Sequence, residues 1–270
     1  MLSASAALLL LSILSSSSAL VVNTLADGRR CSIHADDDAV AARICDRVAD
    51  IAKAAIAAKG SFSMSIGSGT TVAPLADLPP HLDFSCFHIF FGNERTEGDS
   101  AGKCFAPALA GFVRKLGIPE ANVHAVPPGP AEASAEAYER LLREHPAVGT
   151  CARNGLPSLD LVLLGSGADG HCASLYPDSS QVVDAADRAV VAAEGKGGVT
   201  LSIECISSAR NVLLSAAKPT QATMVRQALA WSNAATNTKC PAAMITAQPD
   251  GTTEVEWLLS EASAKLLPAL

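Results

Sequence analysis

Two periods of apolar residues alternate along this chain, and the alternation sets out its elements. Val40, Ile44, Val48, Ile51 and Ala55 recur at three- and four-residue intervals, which puts them on one buried face of a helix. Asp36, Asp37 and Asp38 offer a cap and an acidic first turn ahead of it, and Lys59-Gly60 ends it. Phe62, Met64 and Ile66 then alternate as a strand, and residues 72–78 read as helical again. A short strand precedes the first helix at 31–34, and an unbroken apolar strand runs over 86–91. Phe105, Leu109, Phe112 and Leu116 mark a helix, 123–126 a strand, and 133–144 another helix. The second half predicts strands at 159–164, 199–204 and 212–215, a helix over 220–230, a strand at 242–246 and a closing strand–helix unit from Val255.

Strands alternating with helices in this order predict an α/β fold, a mostly parallel sheet with helices on both faces. An apolar run such as 87–91 suits a strand covered on both sides. No internal repeat and no linker interrupts the chain after residue 30, and the turn at 195–198 is a loop inside the unit, so residues 29–270 are expected to form a single domain.

Composition narrows the function. The 270 residues are 49% hydrophobic and 17% charged, enough for a sizeable core. A net charge of −7 argues against general nucleic-acid binding, which needs a basic face, and leaves any anionic ligand to a local cluster of donors. The eight cysteines (31, 45, 86, 104, 151, 172, 205 and 240) form no CxxC pair and no metal-ligand spacing, so they read as small core residues, and neither a metal nor an organic cofactor is expected. At the N-terminus, the apolar run 6–14 and the small residues 15–19 look like a targeting segment, too short to span a bilayer and lacking a cationic start. Residues 1–28 are therefore set apart from the fold. They fit entry to the secretory pathway or, as a two-part address, a plastid; otherwise the chain is cytoplasmic.

Three stretches carry chemistry. After the strand at 159–164, Gly165, Gly167 and Gly170 allow a tight turn and close ligand approach, and Asp169 and His171 stand within it. Histidine is the side chain suited to move protons near neutral pH. After the strand at 62–66, Gly67-Ser68-Gly69-Thr70-Thr71 offers backbone N–H groups and hydroxyls to an anion, although it lacks the lysine of a phosphate-binding Walker loop. After the strand at 86–91 comes Asn93-Glu94-Arg95, where Arg95 either forks onto an anion or pairs with Glu94 or Glu97 at the surface. Cys172, beside His171, reads as a packed residue rather than a nucleophile.

The run from Gly165 through Asp169-Gly170-His171 to Ala173-Ser174-Leu175-Tyr176-Pro177 resembles the signature loop of the 6-phosphogluconolactonases, with Tyr176 in place of a phenylalanine. The sibling glucosamine-6-phosphate deaminases continue differently after the histidine, with Ile-Ala-Phe-Asn-Glu-Pro. The resemblance extends from about residue 31 onward and implies a Rossmann-like (NagB/RpiA-like) sheet. It also implies sugar-phosphate contacts from residues 67–71 and Arg95, and His171 as the base, with Asp169 orienting it or its loop. Elsewhere the chain departs from the family pattern: Gly67-Ser68-Gly69 stands for Gly-Gly-Ser, Thr71 for a proline, Asn93 and Ser260 for aspartates, Gly198 for an arginine and Gln221 for a lysine. Lys196 and Lys218 stand near enough in sequence to supply the missing cations.

The implied reaction is hydrolysis of 6-phospho-D-glucono-1,5-lactone to 6-phosphogluconate, a step of the oxidative pentose phosphate pathway, by a monomer acting on a phosphorylated sugar lactone, with no nucleic acid and no membrane in the mature form. Two rivals remain open: an amino-sugar-phosphate isomerase or deaminase, which needs an acidic base, and a homologue that binds a sugar phosphate without turnover.

Overall fold

A computed structural model of the chain describes residues 21–183, 187–193, 195–230, 236–248 and 251–268. Seven strands make the central sheet, in the order β1 (Val21–Thr24), β2 (Arg30–His34), β12 (Glu254–Ser260), β11 (Asn211–Ala216), β8 (Leu161–Gly165), β3 (Phe62–Ile66) and β4 (Phe87–Phe91). Every pairing in it is parallel except β1 with β2. The expected mixed α/β unit with a mostly parallel sheet is what forms, around one hydrophobic cluster that runs from Cys31 to Ala264. Successive residues of β3 are all buried, Ser63 and Ser65 included, because the strand is covered on both faces; alternation of polarity along it does not mean that one face meets solvent.

Helix α1 (Asp37–Lys59) follows the sequence closely. The Asp36 carboxylate accepts from the Ala39 N–H at 2.9 Å, and Gly60, at φ 76°, ends the helix by donating its N–H to the Ile56 carbonyl. Val40, Ile44, Val48 and Ala52 are buried on the side that meets the sheet. The expected helix at 105–116 is α2 (Phe105–Ala108) and α3 (Arg114–Leu116), joined by a π turn over Leu109–Val113. Next come α4 (Ala131–Glu144), α5 (Ser180–Val183), α6 (Ile203–Ile206), α7 (Ala222–Ala230), α8 (Pro241–Met244) and α9 (Glu261–Ala264).

Several sequence expectations need correction. Residues 72–78 form short 3-10 turns rather than an α-helix, with Pro74 at the start of one and Pro79-Pro80 beyond its end. Residues 123–126 contribute a single bridge, Ile89 to Val123, rather than a strand. The strand placed at 199–204 stops at Leu201, since Ser202 caps α6 by accepting from the Cys205 N–H. Of the strand expected at 242–246, residues 242–244 belong instead to helix α8, whose first residue is Pro241. A second, antiparallel sheet of β5 (Asn93–Arg95), β10 (Gly198–Leu201) and β9 (Val190–Ala193) escaped the sequence reading in part, as did the small hairpin of β6 (Gly149–Thr150) and β7 (Pro157–Ser158).

The N-terminal boundary also moves. The segment set apart as 1–28 supplies an edge strand, because Val21–Thr24 pairs with Thr24↔Arg30 through Val21↔Ile33. Arg29, 1% exposed, is neutralised by Asp27 at 2.7 Å. Residues 1–20, which hold the apolar run of the targeting expectation, lie outside the described residues. Among the described residues, no helix is long and apolar enough to cross a membrane, and no cysteine is paired.

Candidate active site

Strands β3, β8 and β11 lie side by side, and their C-terminal ends open into one cleft of about 280 Å³. Residues 67–71 leave β3, Gly165 to His171 leave β8, and Ser215 to Gln221 leave β11; Asn93 closes the rim beyond β4. Side chains far apart in sequence therefore face one another for a purely topological reason. Gly67, Ser68, Gly69, Thr70, Thr71, Gly165, Gly167, His171 and Lys218, all read from sequence as site residues, line this cleft.

The loop after β8 is held from within. The Gly167 N–H donates to the His171 carbonyl at 2.8 Å, the Gly170 N–H to the Gly167 carbonyl at 3.0 Å, and the Ser166 hydroxyl to the His171 carbonyl at 3.2 Å. Its glycines are required by space. A Cβ on Gly167 would lie 2.2 Å from His171 Nδ1, one on Gly165 would lie 2.6 Å from Thr71 Oγ1, and Gly170 takes φ +93° against the Cys240 backbone at 3.0 Å. Helix α8 buttresses the turn from behind, where Ala242 donates its N–H to the Gly170 carbonyl. Ala173, which also lines the cleft, sits at φ 51°, a conformation costly for a residue with a side chain and held here by the surrounding loop. The N–H groups of Ser166, Gly167 and Gly170 are thus engaged inside the fold.

His171 is about one-third exposed, and its Nδ1 lies 2.6 Å from Asp169 Oδ1, which also accepts from the His171 backbone N–H at 3.2 Å. Burial works to raise the Asp169 carboxyl, but the hydrogen bonds from His171 and its charge outweigh that and hold it below its ordinary value. An ionised carboxylate only accepts, so Nδ1 must be the donor. The neutral ring then carries its lone pair on Nε2. Tyr176 stacks on the imidazole at 4.9 Å and 30°, and Lys196 Nζ lies 4.9 Å from the Tyr176 ring centre on a further layer. Cys172 is fully buried, and burial raises its thiol far above the range in which a thiolate forms.

The cations expected around an anion are distributed differently. Arg95 does not line the cleft: it belongs to β5, opposite Gly198, and its guanidinium donates to the Lys196 carbonyl at 2.6 Å. Its neighbour Glu94, 3% exposed, is a structural clamp that accepts from the Cys104 and Phe105 N–H groups at the start of α2. Gly198 has no room for any side chain, since a Cβ there would lie 2.1 Å from the Glu94 carbonyl oxygen of β5. Lys218 is the single Lys or Arg among the described residues of the cleft wall, and it is paired with Asp37 at the start of α1. Gln221 accepts from the Lys218 N–H at 2.7 Å and donates to the Ser166 carbonyl, tying the β11 loop to the β8 loop. Sequence reasoning passed over Ser166, Ser215 and Ala217, which line the cleft at strand ends without any distinctive motif.

The profile of glucosamine-6-phosphate isomerases/6-phosphogluconolactonase matches residues 35–257. The chain belongs to this family. Among its relatives, a probable 6-phosphogluconolactonase 2 of Arabidopsis thaliana is 30% identical over 85% of this chain and 92% of its own length. A 6-phosphogluconolactonase of Nostoc sp. is 31% identical over 84% of this chain and 94% of its own. Among solved structures, the 6-phosphogluconolactonase from Trypanosoma brucei superposes with a TM-score of 0.70 at 25% identity, covering 88% of this chain and 98% of that one. The family's members are enzymes, and the match runs through all the strand ends that build the cleft.

Proposed function

We propose that this chain hydrolyses 6-phospho-D-glucono-1,5-lactone, with His171 as general base and Asp169 as the group that fixes its tautomer. The observation that carries the reading is the 2.6 Å Nδ1–Oδ1 bond at the cleft wall, which leaves Nε2 as a proton acceptor within reach of solvent. Nε2 takes a proton as water adds to the lactone carbonyl carbon. The tetrahedral oxyanion then collapses, the bond from that carbon to the ring oxygen breaks, and the imidazolium returns its proton to the departing oxygen. Through its bond to Nδ1–H, Asp169 stabilises the charge that the ring carries between the two transfers. The hydroxyls of Ser68, Thr70 and Thr71 with Lys218 offer the opposite wall to the phosphate; Lys218 thereby takes over from the cations missing at 198 and 221, while Arg95 stays outside and braces the Lys196 turn.

Among the described residues that line the cleft there is no carboxylate, which disfavours an isomerase or deaminase that needs an acidic base. Weak binding without turnover is the second reading, motivated by the single lysine of the cleft. A coupled assay separates them: the lactone is generated in place and 6-phosphogluconate formation is followed against the spontaneous rate. Lactonase action predicts acceleration proportional to enzyme. A rate equal to buffer, with sugar-phosphate binding retained, would establish the second reading instead.

A further inference from the structure

Away from the cleft, the sheet edge carries a second cluster of chemistry. His88 on β4, His124 just beyond the Ile89–Val123 bridge and His145 at the end of α4 bring one nitrogen each to within 4.8 Å of one another. His88 Nδ1 and His124 Nε2 share a hydrogen bond at 3.2 Å, a separation close to that of two nitrogens bound at about 2.0–2.1 Å to one tetrahedral ion, which would take the place of the shared proton. The rings are only partly buried, so an ion can enter, and they are fixed: Phe90 stacks on His124 at 4.5 Å and meets His145 edge-on at 5.2 Å. None of the three lines the catalytic cleft. His88 precedes Asn93 by five residues, about 16 Å of extended chain.

We propose that His88, His124 and His145 form a binding site for a first-row divalent metal ion, of the zinc class, with three imidazole ligands and a fourth position open to water. Three neutral nitrogen donors without a thiolate or carboxylate select zinc, cobalt, nickel or copper over magnesium and calcium. The carbonyl end of the 14-residue helix α4, which His145 caps, adds a favourable field for a cation. The adjacent cation, Lys59, is already neutralised by Asp160 at 2.8 Å and directs a further bond to the Ala147 carbonyl. The Ala147 N–H donates to His145 Nδ1 at 3.2 Å, a weak bond that ligation would exchange for one to the metal. The ion would tie the edge strand β4, the 123–124 segment and the end of α4 together, outside the reaction itself.

The test titrates the full chain with zinc against a chromophoric chelator, and with cobalt by absorption. One zinc ion per chain, a cobalt ligand-field spectrum without thiolate charge transfer and a zinc-dependent rise in Tm are expected. His124→Ala should weaken zinc binding by about tenfold or more and abolish the rise in Tm. His145→Gln, at a helix end, gives the same readout if the His124 variant does not fold. Absence of stoichiometric binding, a thiolate band, or undiminished affinity in a folded variant would overturn the site. Lactonase activity is not a readout here, so failure of this proposal and failure of the proposed function are separable.

Discussion

At the residue scale, the proposed function divides the cleft's tasks between a proton carrier and an anion holder, and the two should separate in kinetics. In the proposed mechanism Asp169 acts through His171, since its Oδ1 holds both the ring Nδ1 and the His171 N–H. Asp169→Asn presents either an amide N–H or a weaker acceptor to the ring and no longer enforces the productive tautomer. It should therefore lower kcat by about 10²–10⁴ and leave KM near its original value. Lys218→Met removes the one cation of the described cleft wall. A lost charged hydrogen bond of about 1.5–3 kcal/mol corresponds to one to two decades in KM, with the smaller part of the effect in kcat. Steady-state kinetics on both variants checks the split; a kcat loss in Lys218→Met equal to that of Asp169→Asn would place the lysine at the reacting atoms instead. Since Asp169 is held below its ordinary value of 3.8, its own protonation should cost no activity above that value, which a pH profile of kcat checks.

At the element scale, what was legible in the sequence was whatever rested on local signals. Helix α1 announced both caps, β3 announced itself by alternation, and β4, β8, β11 and β12 by their apolar stretches. The loops after β3 and β8 were identifiable because glycines and hydroxyls cluster there, and strand adjacency then brought them together. What stayed hidden depended on partners. β5 is three residues long and is held by pairing with β10, so Arg95 was assigned to the cleft when it belongs to a secondary sheet. Of the segment 242–246, expected as a strand, residues 242–244 are helical, with Pro241 opening the turn and the Ala242 N–H bonded to the Gly170 carbonyl. Gly198 appeared to be a lost arginine; the nearness of β5 makes it an obligatory glycine. Gly198→Arg should therefore fail to strengthen substrate binding and should destabilise the chain by about 1–3 kcal/mol, read from the urea midpoint. A gain in affinity at unchanged stability would mean that β5 yields at that point.

At the scale of the whole molecule, the sheet's far side is held by charge. Glu256 on β12 is 2% exposed and meets Arg30, Arg43 and Arg47 at 3.2, 3.2 and 2.8 Å. Burial alone would raise its carboxyl, but the three arginines and the Ser32 hydroxyl bring it below 4.5. The unfolded chain thus takes up this proton first. The stabilisation is complete above the ordinary glutamate value and is lost as pH falls through the depressed folded value. Urea unfolding across this acid range should show that loss, and Glu256→Gln should reduce its pH dependence while lowering stability at neutral pH, by roughly 3–5 kcal/mol if the arginines are left unpaired. With a net charge of −7, the molecule as a whole repels its anionic substrate, so turnover rests on a few local groups. The decisive measurement is the turnover of His171→Ala beside wild type at saturating lactone, corrected for spontaneous opening. A drop in kcat of about 10²–10⁴ with the fold intact is predicted; a variant that keeps the wild-type kcat would contradict the assignment of the base.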